Sequence, residues 1–152
     1  MEKKKLRIDI IPKSTFMPTV QKISEAIMLE AGAGDINQDT QTYNFVLAVD
    51  EIIANIIKHG VRLTRKPFMV TIKYSIGPET VKAVICDGGV RYSPPGEYDE
   101  KIVLKNYSGM GLHFVRSLMD VYQYRYDSKN KKNIVTLAVN LNHALDSVSS
   151  SA

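Results

Sequence analysis

Three groups of residues in this chain have types and spacings that could hold a ligand. The first is FVLAVDEIIANIIKH, residues 45–59. At about 100° per residue, Asn44, Glu51, Asn55, Lys58 and Arg62 share one narrow polar stripe of a helix that is otherwise apolar. A carboxylate and an amide thus stand one turn apart, and an unpartnered buried Glu costs on the order of several kcal/mol. The stripe therefore faces either water or something polar. The second group is Asp87-Gly88-Gly89, closing the run VKAVICD. A fixed Asp can accept a hydrogen bond from an exocyclic amine, and glycine lets the backbone approach a flat ligand; alone, the same tripeptide is a turn signal. The third is Ser108-Gly109-Met110-Gly111-Leu112, where a long irregular segment gives way to helical spacing. Glycines there free N–H groups of a helix N-terminus to face an anion, as a phosphate cradle does, although a lone G-x-G is weak evidence.

The elements that must position these groups follow from periodicity. Leu6, Ile8 and Ile10 alternate with Arg7 and Asp9 as a first strand that Pro12 ends. Residues 19–31 are apolar at helical spacing and stop at GAGD, and a second helix runs from near Asp39 to about Gly60. The period changes to two over 68–76, and the turn Gly77-Pro78-Glu79 leads into a strand over 80–86, so the pair predicts an antiparallel hairpin in which two runs flank a glycine turn. Residues 88–108 break all periodicity, the mark of a functional loop or lid. Helical spacing resumes through Leu112, Val115, Leu118 and Met119, and two strands over 121–126 and 134–139 flank the polar turn DSKNKKN. This order predicts an α+β two-layer sandwich, a mixed, mostly antiparallel sheet covered on one face by helices. One domain is expected over 1–142, with a Ser-rich disordered tail over 143–152.

Composition narrows the function classes. With 152 residues, 44% of them hydrophobic, the chain can bury a core of its own. No apolar run is long enough to span a bilayer, and the start MEKKKLRIDII lacks signal-peptide character, so a cytoplasmic protein without membrane attachment is expected. The single cysteine, Cys86, excludes an internal disulfide and a thiolate-rich metal site. The net charge is +4, but the cations are scattered among acidic residues, with small clusters only at Lys3 to Lys5 and at Lys129, Lys131 and Lys132. That distribution argues against direct nucleic-acid binding and suits a polyphosphate ligand or an acidic protein partner.

Taken in order, E-x-x-x-N on a helix, D-x-G after a strand and S-G-x-G-L opening a helix resemble the nucleotide-binding signature of the Bergerat-fold, histidine-kinase-like ATPases. More closely, VDEIIANIIKHG and SGMGLHFVRSLMD are similar to the small bacterial anti-sigma factor serine/threonine kinases, over roughly residues 6–140. The resemblance implies ATP or ADP as ligand with Mg²⁺, Glu51 as general base toward the attacking hydroxyl, and Asn55 as the metal ligand. It also implies that Asp87 receives the adenine amino group, that Gly89 lets the base approach, and that Ser108, Gly109, Met110, Gly111 and Leu112 hold the phosphates beneath a lid of residues 88–108. Lys58 reads as a phosphate contact or as a solvated helix-end lysine, and Lys101 and Lys105 in the lid are equally open. The implied function is a stress-response type of transcription regulator. It would phosphorylate an anti-sigma-factor antagonist, bind a sigma factor and form a homodimer. The alternatives are a nucleotide-dependent partner-capture module without turnover and a stand-alone histidine-kinase ATPase domain. Three positions depart from the family pattern: Arg91 where many members have a glycine, Lys132-Asn133 where relatives tend to carry Gly-Thr, and His113, which reads as a surface or packing residue.

Overall fold

The computed structural model describes residues 4–92 and 107–141, the side chains of 107–112 excepted. Five strands form one sheet: β1 (Lys4–Ile10), β2 (Val70–Ile76), β3 (Thr80–Asp87), β4 (Val121–Asp127) and β5 (Lys132–Asn140). Their spatial order is β1-β2-β3-β5-β4. The sheet, expected to be mixed and mostly antiparallel, is antiparallel at all of these pairings. Period-two alternation decides which face is buried. Val70, Ile72 and Tyr74 of β2, Val81, Ala83 and Ile85 of β3, and Val135, Leu137 and Val139 of β5 pack into one core with the helices, while Lys73 and Thr136 take the alternate side.

Helix α1 (Met17–Glu30) follows a single 3₁₀ turn, Ser14–Phe16, and has Pro18 in its first turn, where the missing N–H costs nothing. It ends at Gly32, whose φ of +92° is the left-handed conformation glycine tolerates. Helix α2 (Thr40–Asn55) is capped by Asp39, whose side chain accepts from the Gln41 and Thr42 N–H groups. It buries Phe45, Ala48, Val49, Ile52 and Ile53 against the sheet core. The chain stays helical through a π turn, Ile56–Gly60, into a last turn, α3 (Val61–Leu63), so the helical run is longer than its sequence pattern predicts. Helix α4 (Tyr107–Leu118) then leads to β4. No described helix is long and apolar enough to cross a membrane.

The register places Asp87, the last residue of β3, opposite Asn133 of β5. Both point to the helix side, Asp87 6% exposed and Asn133 4% exposed. The sheet face is apolar along most of its length and becomes polar at this one end. That end lies against the close of α2.

Candidate functional site

Asp87 is the centre of this polar end. Its Oδ1 accepts from the Gly89 N–H at 2.9 Å and from Asn133 Nδ2 at 3.1 Å. The first bond is an Asx turn, the local structure in which Asp tightens a loop through the backbone two residues on. Among the described residues Oδ2 has no such partner, and Asp87 lines a cleft. Burial pushes the carboxyl above its ordinary value of 3.8, against the opposing effects of the Asn133 and Gly89 bonds and the nearby Lys132. The site therefore offers a fixed acceptor oxygen in a poorly solvated place, which suits an amine donor on a ligand.

Gly89 is required here by space. A Cβ on it would stand 2.9 Å from Asp87 Oδ1, 3.2 Å from Thr64 Oγ1 and 3.3 Å from the Phe68 ring. The same threonine hydroxyl accepts from the Val90 N–H at 2.8 Å, pinning the chain as it leaves β3. The Asp87-Gly88-Gly89 motif is thus a built turn that also holds a carboxylate in position.

Asn133 is the residue whose role the sequence pattern leaves unassigned. Its Nδ2 donates to Asp87 and to Val90 O at 3.0 Å, while its Oδ1 accepts from the Tyr92 N–H at 2.8 Å and lies 2.6 Å from Tyr124 Oη. Tyr92 and Tyr124 meet edge to face, 5.7 Å between centroids, and with Tyr122 they form an aromatic wall of the cleft. Burial raises all three phenols, so each ring carries a neutral hydroxyl at ordinary pH. Arg116 covers the Tyr122 ring. Arg91, at the departure from the family glycine, lies over the ring of Tyr126 at 5.1 Å and is exposed.

The opposite wall comes from the helical run. Ile52, Asn55, Ile56, His59, Gly60 and Leu63 line the cleft, facing Asp87, Val90, Asn133 and the tyrosines across about 620 Å³ that includes its open mouth. The π turn shapes this wall. The Val61 N–H bonds to Ile56 O, five residues back, so one extra residue enters the turn directly after Asn55. Of the polar stripe expected from ideal helical spacing, Asn55 faces the cleft. Glu51 is half-buried one turn before it and is not among the cleft-lining residues; Lys58 is exposed and also not among them. His59 lines the cleft, though neither motif nor stripe singled it out.

Ser108, Gly109, Met110, Gly111 and Leu112 occupy positions two to six of α4. The backbone N–H groups of 108, 109 and 110 fall in the first turn, which has no intrahelical acceptors; those of Gly111 and Leu112 lie deeper. Lys101, Lys105 and the rest of the lid over 93–106 lie outside the described residues, as does the tail over 142–152. His113 is half-buried, 6.1 Å from the Phe114 ring.

The geometry fits an adenine nucleotide: an amine-accepting carboxylate, a backbone turn with no room for a side chain, an aromatic wall, and an amide across the cleft. A family model described as the histidine kinase-like ATPase domain matches residues 17–139, which include Asn55, Asp87, Asn133 and α4. No curated protein matches the chain.

Proposed function

Because the chain belongs to the histidine kinase-like ATPase family and binds ATP through that domain, we propose that it is an anti-sigma regulatory factor, an ATP-dependent serine/threonine kinase for a small antagonist protein. The observation that carries the reading is Asp87, buried and held by Oδ1 so that Oδ2 is left for the base, with Asn55 on the facing wall. ATP with Mg²⁺ would supply the transferable γ-phosphoryl group and the charge neutralisation that phosphoryl transfer needs. In this reading Asp87 orients the adenine, and the Asn55 side-chain oxygen would hold the metal. Glu51 would accept the proton of the partner's serine hydroxyl as its oxygen bonds to phosphorus and ADP leaves. A sigma factor and the antagonist would compete for a homodimer, and nucleotide would bias the competition through its differential affinity for the two complexes.

One observation favours the second reading, a capture module that binds nucleotide without turnover. Glu51 is not among the residues lining the cleft, so the base would have to be brought to the acceptor hydroxyl by the bound partner. Two measurements separate the readings. Titration with a fluorescent ATP analogue should show Mg²⁺-dependent binding that Asp87→Asn and Asn55→Ala both weaken; no binding at millimolar nucleotide would end both. Transfer of labelled γ-phosphate to a serine of the partner, lost in Glu51→Ala while ATP binding persists, supports the kinase. Binding with no transfer in the wild type supports the capture module.

A further inference from the structure

We propose that Asn133 is the positioning residue of the nucleotide site, fixing the Asp87 carboxylate so that Oδ2 faces the cleft and thereby setting the preference for adenine over guanine. The proposal rests on the nucleotide reading above.

An asparagine side chain has two donor hydrogens and two acceptor lone pairs. At Asn133 all four are used. Nδ2 gives one hydrogen to Asp87 Oδ1 at 3.1 Å and one to Val90 O at 3.0 Å, with Gly89 O a longer neighbour at 3.4 Å. Oδ1 receives the Tyr92 N–H at 2.8 Å and stands 2.6 Å from Tyr124 Oη, which is also 2.7 Å from Tyr92 O and has one proton to share between them. The orientation of the amide is forced. Exchanging its O and N would set an oxygen against the Asp87 carboxylate and the Val90 carbonyl, and an NH₂ against the Tyr92 N–H.

Being saturated and only 4% exposed, Asn133 has nothing left to offer a ligand, although it borders the cleft. It acts through Asp87. Without these bonds the plane of the carboxylate could turn about its last bond, and neither oxygen would be held toward the base. With Oδ1 tied to both Gly89 N–H and Asn133, Oδ2 alone is presented. An exocyclic amine donates to that oxygen, whereas the carbonyl of guanine at the same place repels it and leaves a buried acceptor unpaired, the arrangement that gives strong discrimination. The same amide ties the outgoing segment, Gly89 to Tyr92, to β5, so carboxylate and backbone turn are held as one unit.

The test compares wild type with Asn133→Ala, and with Asn133→Ser should the alanine variant fail to fold. The first readout needs no nucleotide: the titration of the Asp87 carboxyl followed by carbon NMR in the free protein. Lys132 on β5, Tyr124 on β4, Cys86 on β3 itself and His59 across the cleft remain in both proteins. Loss of the Asn133 donor should therefore move the Asp87 midpoint upward. The second readout is the ratio of ADP to GDP affinity, expected to fall about tenfold or more, the size of one charged hydrogen bond. An unchanged midpoint and an unchanged ratio, even with a lower melting temperature, would make Asn133 a structural residue and overturn the proposal. A wild type that binds ADP and GDP equally would instead remove the adenine reading, while the nucleotide-free titration still decides whether Asn133 holds Asp87.

Discussion

Burial raises the Asp87 carboxyl, and the Asn133 amide, the Gly89 N–H and Lys132 pull it back only in part. Its folded value lies above its unfolded one, so the native state holds the proton more tightly and ionisation works against the fold. The contribution to stability is most favourable below the unfolded value and is lost as pH rises through the folded one. Above that window the free protein carries the cost of a buried charge. Asp87→Asn should therefore melt no lower than wild type at neutral pH. The asparagine oxygen would stay on Gly89 N–H and Asn133 Nδ2, which both need an acceptor, and its NH₂ would then face the adenine amine, donor against donor. Adenine-nucleotide affinity is expected to fall about 10- to 100-fold from losing one charged hydrogen bond. Calorimetric melting beside nucleotide titration checks both halves, and a variant that melts much lower would show that the charge supports the fold. In the wild type the same carboxyl predicts that affinity weakens on acidification, beginning above the pH expected for an ordinary aspartate. Gly89→Ala acts differently: its Cβ would press on Asp87 Oδ1 at 2.9 Å and on Thr64 and Phe68, so both stability and nucleotide binding should drop together.

At the level of elements, α2 was legible because its signals are local: an Asp39 cap, an apolar majority and a polar minority recurring at helical spacing. The strands were legible for the same reason, with ends displaced by a residue or two. Two things were not local. The π turn after Asn55 comes from a backbone bond five residues long that no residue type announces, and the ideal 100° wheel grouped Lys58 with Asn55 while His59, Gly60 and Leu63 line the cleft. Asn133 was hidden because its importance comes from register, β5 bringing it opposite Asp87, 46 residues away in sequence. What could have found it is a polar residue in the inward phase of an otherwise apolar strand, I-V-T-L-A-V preceded by Asn. The π turn gives a prediction of its own. Deleting Lys58 removes the extra residue and lets the run close as regular helix, which leaves the following turn roughly in phase but takes away the widened turn that His59 and Gly60 bring to the cleft wall. Helical content by circular dichroism should be kept and ATP affinity should fall at least about tenfold. Lys58→Ala, which leaves the turn in place at an exposed position, should change affinity less than about twofold. Equal affinity in wild type and the deletion would show that the wall after Asn55 plays no part in binding.

For the molecule as a whole, the site lies at one end of the sheet and the helix layer is tied to the sheet far from it. The Ser24 hydroxyl of α1 and the Tyr74 hydroxyl of β2 lie 2.7 Å apart in the core, both almost completely buried. Burial pushes the Tyr74 phenol up to about 12, the Ser24 bond opposing. The stability it contributes is present below its ordinary value of 10.0 and is lost as pH rises through about 12, when the ionised phenol must leave the core. Tyr74→Phe removes the hydroxyl and leaves Ser24 buried without that partner, a cost of about 1–3 kcal/mol. Among the described residues Ser24 and Tyr74 share no hydrogen-bond partner with Asp87 or Asn133, and sites of that kind add. Ligand bound only to the native state adds about 2.7 kcal/mol at 100 times its dissociation constant, a rise in melting temperature of roughly 5–11 °C for a chain of this size. Tyr74→Phe should therefore melt lower than wild type both with and without ATP, with the ATP-induced rise intact. Asp87→Asn should melt no lower than wild type without ATP and, at the same ATP concentration, show a rise cut to about half or less, since a 10- to 100-fold loss of affinity leaves about 0.4–1.4 kcal/mol of linkage. If instead Tyr74→Phe lost the nucleotide-induced rise, the helix layer and the site would be coupled through the sheet, and nucleotide would be read by α1 as well as by the cleft.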